Sequence, residues 1–448
     1  MKTDANYLKS VRDQYEQLPY PRRNPEDEKK RLNTTWGDRL EYLNHYGYGG
    51  RMPLKGFRVL DAGAGSGDAT IYLAEQLRDF DGRVVHLDMS EASIGVARER
   101  ARIRGLDNIE FVHASLLDLP KLKLGTFNYV SSTGVLHHLA DPSAGLDALN
   151  GCIDDDGLIK IMVYGRYGRT FVYRMQELMR AYNAGRDRAD IDGRLAACKE
   201  MMAALEGRDW YSALMDGVVD VKNMGDVGIY DLFLHSQDRA YTIPELYEFV
   251  EASGLLLNHY IPAPHRLMAA ALPPSPVRSR LETLPLRDQQ AIAEMMNGKV
   301  KMHFCYVTRR ARATPSPRDE EMIPSYSHFN EGLEKAIGKA LADSELKEMK
   351  LTVKGEGIAV SLGKENRALL AEIDGKRTIG EILTRAGAAL GPNTGSRAAH
   401  ARAFEALIAR FGEMEWLLLR HSSLPRFPLK DALQRRVTDR YSAHSIGR

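Results

Sequence analysis

Two acids, Asp61 and Asp88, stand where chemistry is expected, each at the end of a short apolar run: Val59-Leu60-Asp61 and Val84-Val85-His86-Leu87-Asp88. Behind Asp61 come Ala62 and then three glycines at alternate positions, Gly63, Gly65 and Gly67. Such glycines let the backbone turn sharply and let a ligand come within contact distance of the main chain. Asp88 follows Gly67 by 21 residues, the spacing at which an acid on a second strand can grip both hydroxyls of a ribose. Further along, the adjacent pair His137 and His138 and the polar run His235 to Tyr241 offer groups able to move protons.

The elements that must position these residues are read from periodicity. Arg58 to Asp61 is a strand, the glycines a tight turn, and Ala69 to Leu77 an amphipathic helix whose first N–H groups face the turn. Arg83 to Asp88, Ile109 to His113, Phe127 to Thr133 and Leu158 to Tyr164 read as the next four strands. Helices lie between them: Ser90 to Arg104, with Ser90 as N-cap, and Asp141 to Cys152, opened by Asp141-Pro142. This alternation predicts a doubly wound parallel α/β sheet, with ligands off the carboxyl ends of its strands. Asp61, Asp88, Ser115, Leu116 and Thr133 then surround one crevice.

The glycine run is G-x-G-x-G, not the G-x-G-x-x-G of dinucleotide binding. The phrases Leu-Asp-x-Gly-x-Gly-x-Gly (Leu60 to Gly67) and Val-Leu-His-His-Leu-x-Asp-Pro (Val135 to Pro142) resemble the class I S-adenosylmethionine (SAM) methyltransferases over roughly residues 55–165. The resemblance implies a seven-stranded Rossmann-like sheet whose last strand runs antiparallel beside the fifth. It implies SAM as cofactor, its ammonium at Asp61, its ribose at Asp88 and its adenine against Met89. The cofactor set is then Asp61, Ala62, Gly63, Gly65, Gly67, Asp88, Met89, Ser115, Leu116 and Thr133. Asn128 departs from the family, which usually has Asp there.

Composition fits a soluble, globular chain long enough for two or three domains. The chain has 448 residues, 44% of them apolar, and 62 Lys+Arg against 60 Asp+Glu. That balance argues against a dominant nucleic-acid role, and no window has the apolar length of a membrane span. The N-terminus lacks the apolar core of a signal peptide, so a cytoplasmic location is expected. The three cysteines (Cys152, Cys198, Cys305) are scattered, and no metal is expected.

Residues 1–54 read as an N-terminal helix (5–18) and a lid segment, with Tyr15-x-x-x-Pro19-Tyr20-Pro21 placing Tyr15 and Tyr20 over the pocket or, equally, against the core. That motif resembles the N-terminal segment of certain bacterial enzymes of the superfamily, including outer-membrane-protein lysine methyltransferases. The methyltransferase domain spans 55–310, with insertions at 165–240 and 262–298, strand six at Leu255 to Ile261 and strand seven at Lys299 to Val307. Residues 311–345 read as linker and charged helix, 346–424 as a small α+β module and 425–448 as a mobile basic tail. Within the module, Leu-x-x-Ile-Asp-Gly-x-x-Thr-Ile-x-Glu-Ile (Leu370 to Ile382) resembles winged-helix modules that hold peptides or regulate partner domains, including those of some bacterial protein methyltransferases; the alternative is a scaffold for the core or a homodimer.

SAM carries an activated methyl, so positioning and exclusion of water do most of the work, and a base is needed only for a protonated acceptor. His138 and Tyr241 are the catalytic candidates, and Tyr164, Arg166 and His235 join Tyr15 and Tyr20 as substrate or lid residues. His137 is expected to point into the core. The expected activity is methyl transfer to nitrogen or oxygen of a peptide or protein. The alternatives are a small-molecule methyltransferase and a non-catalytic SAM-binding regulator.

Overall fold

The computed structural model describes residue 12 and residues 14–187, 190–235, 237–261, 272–327, 347–353, 356–412, 415–428 and 432–434. Its centre is one sheet. Strands β1 (Arg58–Ala62), β2 (Arg83–Asp88), β3 (Ile109–His113), β4 (Phe127–Thr133) and β5 (Ile153–Gly165) pair in parallel in the order β3-β2-β1-β4-β5. Beyond β5, after the two-residue β6 (Ala240–Tyr241), the chain adds β7 (Leu256–Ile261) and β8 (Met302–Thr308). Strand β8 lies antiparallel between β5 and β7, as the family resemblance implied.

Strand β6 was not anticipated. It pairs with Tyr164 and Gly165 of β5, just past Met162, where β4 ends its own pairing. The polar run from His235 therefore ends in the sheet instead of remaining a loop.

Side-chain alternation sets the two faces of the sheet. Leu60, Phe127, Val130, Ile159 and Ile161 are buried under α3 (Pro142–Asn150) and a later helix, Ile243–Ala252. Val59, Val84, Tyr129, Leu158 and Tyr306 pack on the other face with Leu73 and Leu77 of α1 (Asp68–Leu77). Each such buried side chain contributes roughly 1.5–3 kcal/mol. Helix α2 (Glu91–Arg104) starts on Ser90, whose hydroxyl accepts from the Ser93 N–H at 3.1 Å. Glu28, in the turn Pro25–Lys29, is buried against α2 between Arg100 and Arg104.

After β5 come α4 (Thr170–Tyr182), α5 (Ile191–Ala204), α6 (Asp209–Gly217) and α7 (Val219–Met224), then a wide helical turn at Tyr230–Leu234. They pack on one another through Met175, Met179, Leu195, Phe233 and Leu234, with Leu18 of the N-terminal segment against them. The Ile243–Ala252 helix, α8, opens on the capping box of Thr242 and Glu245. Helices α9 (Pro276–Glu282) and α10 (Leu286–Asn297) lie in the second expected insertion; residues 262–271 of it are outside the described residues.

At the C-terminal end, α11 (Lys364–Ala371), α12 (Ile379–Leu390) and α13 (Arg397–Gly412) surround a core of Leu369, Ile382, Leu383, Phe404 and Phe411. A hairpin of β10 (Glu348–Val353) and β11 (Glu356–Ser361) precedes them. The expected linker contains a strand, β9 (Met322–Tyr326), paired antiparallel with β12 (Leu417–His421). The charged helix expected at 330–349 lies mostly outside the described residues, and its last two positions, Glu348 and Met349, are in strand β10. The expected free tail is anchored where it is described. Phe427 is buried in the core that holds Tyr42 and Tyr306, and Leu433 packs on Ile71 and Tyr72; the residues from 435 on lie outside the described set. Strand β12 is tied to the segment before β1 by hydrogen bonds from Asn44 Nδ2 to the Leu419 carbonyl (3.2 Å) and from the Leu419 N–H to His45 Nδ1 (2.9 Å). Among the described residues no helix is long and apolar enough to cross a membrane.

Candidate active site

The carboxyl ends of β1, β2, β4 and β5 open into a cavity of about 360 Å³. Asp61 ends β1 and is buried. The Thr70 hydroxyl donates to its Oδ2 at 2.6 Å, and His86 Nδ1 lies 2.8 Å from the same hydroxyl. Burial pushes Asp61 up to about 7, against the pull of the Thr70 bond, and pushes His86 down to about 3. When Asp61 is ionised, a neutral His86 with its proton on Nδ1 can donate to Thr70, which donates to Asp61, while His86 Nε2 is buried without a hydrogen-bond partner.

Asp88 ends β2. Its two oxygens accept from the Gly65 N–H (2.7 Å) and the Ser90 N–H (2.9 Å), so the second acid holds the glycine turn as well as facing the cavity. Burial raises it above the usual carboxylate range, and these bonds oppose that shift. Gly65 has φ +54°, and a Cβ there would stand 2.3 Å from the Tyr20 carbonyl oxygen. Gly67 meets the Cβ of Ala97 at 2.8 Å and brings α1 against α2.

The N-terminal segment is fastened over this turn by its backbone. Ser66 donates its N–H to the Tyr20 carbonyl (3.1 Å) and its hydroxyl to the Pro21 carbonyl (2.7 Å). Ser90 donates its hydroxyl to the Tyr15 carbonyl (3.1 Å), and the Glu16 carboxylate accepts from the Glu91 and Ala92 N–H groups at the start of α2. Arg23 makes paired bonds to Asp68 at 2.9 and 2.6 Å. Burial would raise Asp68, but the guanidinium groups of Arg23 and Arg100 hold it below its usual range.

The far end of the cavity is aromatic. The Tyr164 ring lies under the Arg169 guanidinium, 3.4 Å from its centroid, and against His137 at 3.9 Å. Asp238 fixes Arg169 (3.2 Å) and also accepts from Tyr173 and Gln176. Tyr15 donates to Asp231 at 3.2 Å and has His235 Nε2 at 3.4 Å. Burial lowers His138 to about 4 and also lowers His137 and His235, so all three rings are neutral at pH 7. Among the described residues, one ligand atom each of His138, Asp231 and His235 lies within 4.8 Å of the others, a grouping that no sequence motif signals.

Of the residues expected at the site, Asp61, Gly63, Gly65, Asp88 and Met89 line the cavity, and so do Ser115, Leu116 and Thr133. Tyr15, Tyr20, His138 and Tyr164 line its other end. Ala62 and Gly67 do not; Ala62 faces the core, and Gly67 serves the turn and helix packing. His235 stands behind His138, with ring centroids 3.9 Å apart. Two expectations are corrected. Tyr241 belongs to β6 and packs in the core against Phe249, away from the cavity. Arg166 points outward and pairs with Glu245 at 2.7 Å. His137 is fully buried, as expected. Asn128 sits at the start of β4, accepting from the Arg58 N–H (2.8 Å) and donating to Asp154 (2.6 Å), which an aspartate could not do. Asp231 was passed over, although it is a lone acid inside the apolar run Tyr230-Asp231-Leu232-Phe233-Leu234.

The arrangement can hold a cation at Asp61, paired hydroxyls at Asp88 and a flat apolar group along Met89 and Leu116, with a chamber walled by Tyr15, His138, Tyr164 and Asp231 beside it. Comparison with known proteins agrees with that donor set. Residues 53–211 match the family model described as a methyltransferase domain. An uncharacterised protein of Synechococcus is 29% identical over 304 residues, covering 66% of this chain and 70% of its own. The ubiquinone biosynthesis O-methyltransferase of Nitrosococcus oceani is 27% identical over 159 residues, 36% of this chain and 63% of that one. The tRNA 5-carboxymethoxyuridine methyltransferase of Escherichia coli K12 is 30% identical over 112 residues, 25% of this chain and 41% of that one. The chain thus spans less than two thirds of the length of these two methyltransferases. Among solved structures, PKMT2 from Rickettsia typhi superposes with a TM-score of 0.61 at 15% identity, covering 87% of this chain and 76% of that one, a likeness of fold. With the glycine turn, the two acids and the strand order in place, residues 53–211 form a methyltransferase domain of the class I S-adenosylmethionine-dependent kind.

Proposed function

We propose that the protein transfers a methyl group from SAM to a nitrogen or oxygen atom of a peptide or protein. In this reading Asp61 takes the cofactor's ammonium, Asp88 its ribose hydroxyls, and Met89 and Leu116 flank its adenine. When bound, SAM supplies a methyl carbon activated by the sulfonium, and the S–C electron pair stays on sulfur as the methyl leaves. The chain's own residues position and shield. The Tyr15–Arg23 segment covers the glycine turn, and Tyr164, His138 and Asp231 wall the space into which an acceptor atom would reach. Transfer in such an oriented site draws on positioning and exclusion of water, with a base added where the acceptor carries a proton.

The observation that carries the acceptor class is the helical cover. The segment from Thr170 to Leu234 adds helices α4 to α7 and a wide helical turn over the strand ends, and α4 exposes the aromatic rings of Phe171 and Tyr182. A surface of that breadth beside the site suits an acceptor that extends beyond the cavity. The second reading, a small apolar metabolite, is favoured by the Val135, Leu139, Met162 and Met224 walls and by relatives named for ubiquinone biosynthesis.

The test is incorporation of tritium from methyl-labelled SAM into a cell lysate, fractionated into protein, RNA and organic-soluble material. Label in protein supports the first reading. Label confined to the organic phase supports the second, and label in RNA overturns both.

A further inference from the structure

We propose that His138 takes the acceptor's proton and that Gln237 arms it, by locking His138 and His235 in opposite tautomers. The inference rests on the methyl-transfer reading above. Gln237 spends both of its backbone polar groups on the two rings. Its carbonyl accepts from His138 Nδ1 at 2.9 Å, and its N–H donates to His235 Nδ1 at 3.2 Å. A carbonyl only accepts, so Nδ1 of His138 carries the proton and its Nε2 keeps a lone pair. An N–H only donates, so Nδ1 of His235 carries none, and the proton of that neutral ring is on Nε2, toward the Tyr15 hydroxyl. The Gln237 side chain donates to the Leu139 carbonyl at 2.8 Å, tying its loop to the turn that bears His138.

The two rings have different places as well as different tautomers. His138 lines the cavity and His235 does not. The ring with its lone pair free therefore faces the ligand, and the ring with an N–H free faces Tyr15, which donates to Asp231. In the step proposed, the acceptor's X–H bond breaks and the proton passes to His138 Nε2. The electron pair stays on X and forms the new bond to the methyl carbon. The Asp231 carboxylate, within 4.8 Å of a nitrogen on each ring, offsets the positive charge that appears on His138. The imidazolium then releases its proton to solvent as product leaves.

The same three side chains could be taken for a His-His-Asp metal set. The backbone opposes that use. A neutral imidazole that binds metal through Nε2 must keep its proton on Nδ1, and on His235 that position faces the Gln237 N–H.

The experiment uses the full chain labelled with ¹⁵N-histidine, its long-range ¹H–¹⁵N spectrum at pH 7 assigned with His138→Gln and His235→Gln. The expected result is an Nδ1–H tautomer for His138 and an Nε2–H tautomer for His235. Gln237→Ala, which keeps the backbone and loses the anchor, should move both rings toward averaged tautomers. Like tautomers in the two rings would overturn the proposal. So would one equivalent of divalent metal in the purified protein that is lost in His138→Gln. In the second arm, His138→Gln lowers tritium transfer into the labelled lysate fraction by roughly 10²–10³ while the SAM Kd stays within about threefold. An unchanged rate, or a SAM Kd weakened about tenfold or more, would overturn the base role while leaving the methyl-transfer reading intact. A lysate that takes no label from the wild type overturns both, and the tautomer spectrum then stands as structure alone.

Discussion

Replacing Asp61 by Asn should make the ligand-free protein more stable at neutral pH while stripping it of cofactor affinity. Asp61 is buried, and its carboxyl is pushed from an ordinary 3.8 to about 7, mainly by burial. A shift of about three units corresponds to about 4 kcal/mol for holding the ionised form in the fold. Because Asp61 faces a cavity that water enters, about 2–4 kcal/mol is the expected gain. The sign follows from linkage. The folded value lies above the unfolded one, so the group's contribution to stability is complete below about pH 4. It is lost as pH rises toward 7, and it is flat above that. Asn does not titrate, and its amide oxygen can still accept from Thr70. The gap between variant and wild type should thus be near zero at pH 3.5, widen by at most about 1.4 kcal/mol per pH unit between about 4 and 7 to reach about 2–4 kcal/mol, and then level off. Urea unfolding of the ligand-free proteins at several pH values, followed by tryptophan fluorescence, reads it. SAM titration of the same samples should show affinity lost in the variant, and in the wild type a Kd that weakens about tenfold per unit below pH 7. A variant less stable than wild type at pH 7.5, or a stability gap that ignores pH, would refute the burial argument.

Two further predictions concern the frame around the site. Gly65→Ala combines a left-handed backbone, at a cost of roughly 1–2 kcal/mol, with a Cβ 2.3 Å from the Tyr20 carbonyl. It should weaken SAM binding at least tenfold and speed chymotryptic cleavage after Tyr15, as read by titration and limited proteolysis. Glu28→Ala leaves Arg100 and Arg104 buried without their shared carboxylate. It should destabilise the protein by about 3–5 kcal/mol in urea unfolding, a loss that Leu at the same position would not repair.

The central sheet and the cofactor end of the cavity could be read in the sequence because their signals are local. Asp61 and Asp88 close apolar runs at strand tips, and the glycines sit between a strand and a helix with no intervening element. The proton-handling end could not be read that way. Tyr15 and Asp231 are 216 residues apart and meet only because the helices after β5 fold back over the strand ends. The lock on His138 uses the backbone of Gln237, which leaves no mark on residue type. Tyr241 misled because a tyrosine after a polar run reads alike whether it enters a site or, as here, starts a short strand and turns into the core. Met322–Tyr326 was hidden by Pro324 and Ser325, which mark a linker by composition yet suit a short edge strand such as this one beside β12.

The central claim is that one cavity holds SAM between Asp61 and Asp88, and isothermal titration of SAM into wild type and Asp88→Ala tests it most directly. Asp88 should grip the ribose as well as hold the Gly65 N–H. The account predicts saturable one-to-one binding to the wild type and an affinity at least about a hundredfold weaker in the variant, a loss of about 3 kcal/mol for a charge-assisted pair and the turn it organises. Equal affinity in the two proteins would contradict it.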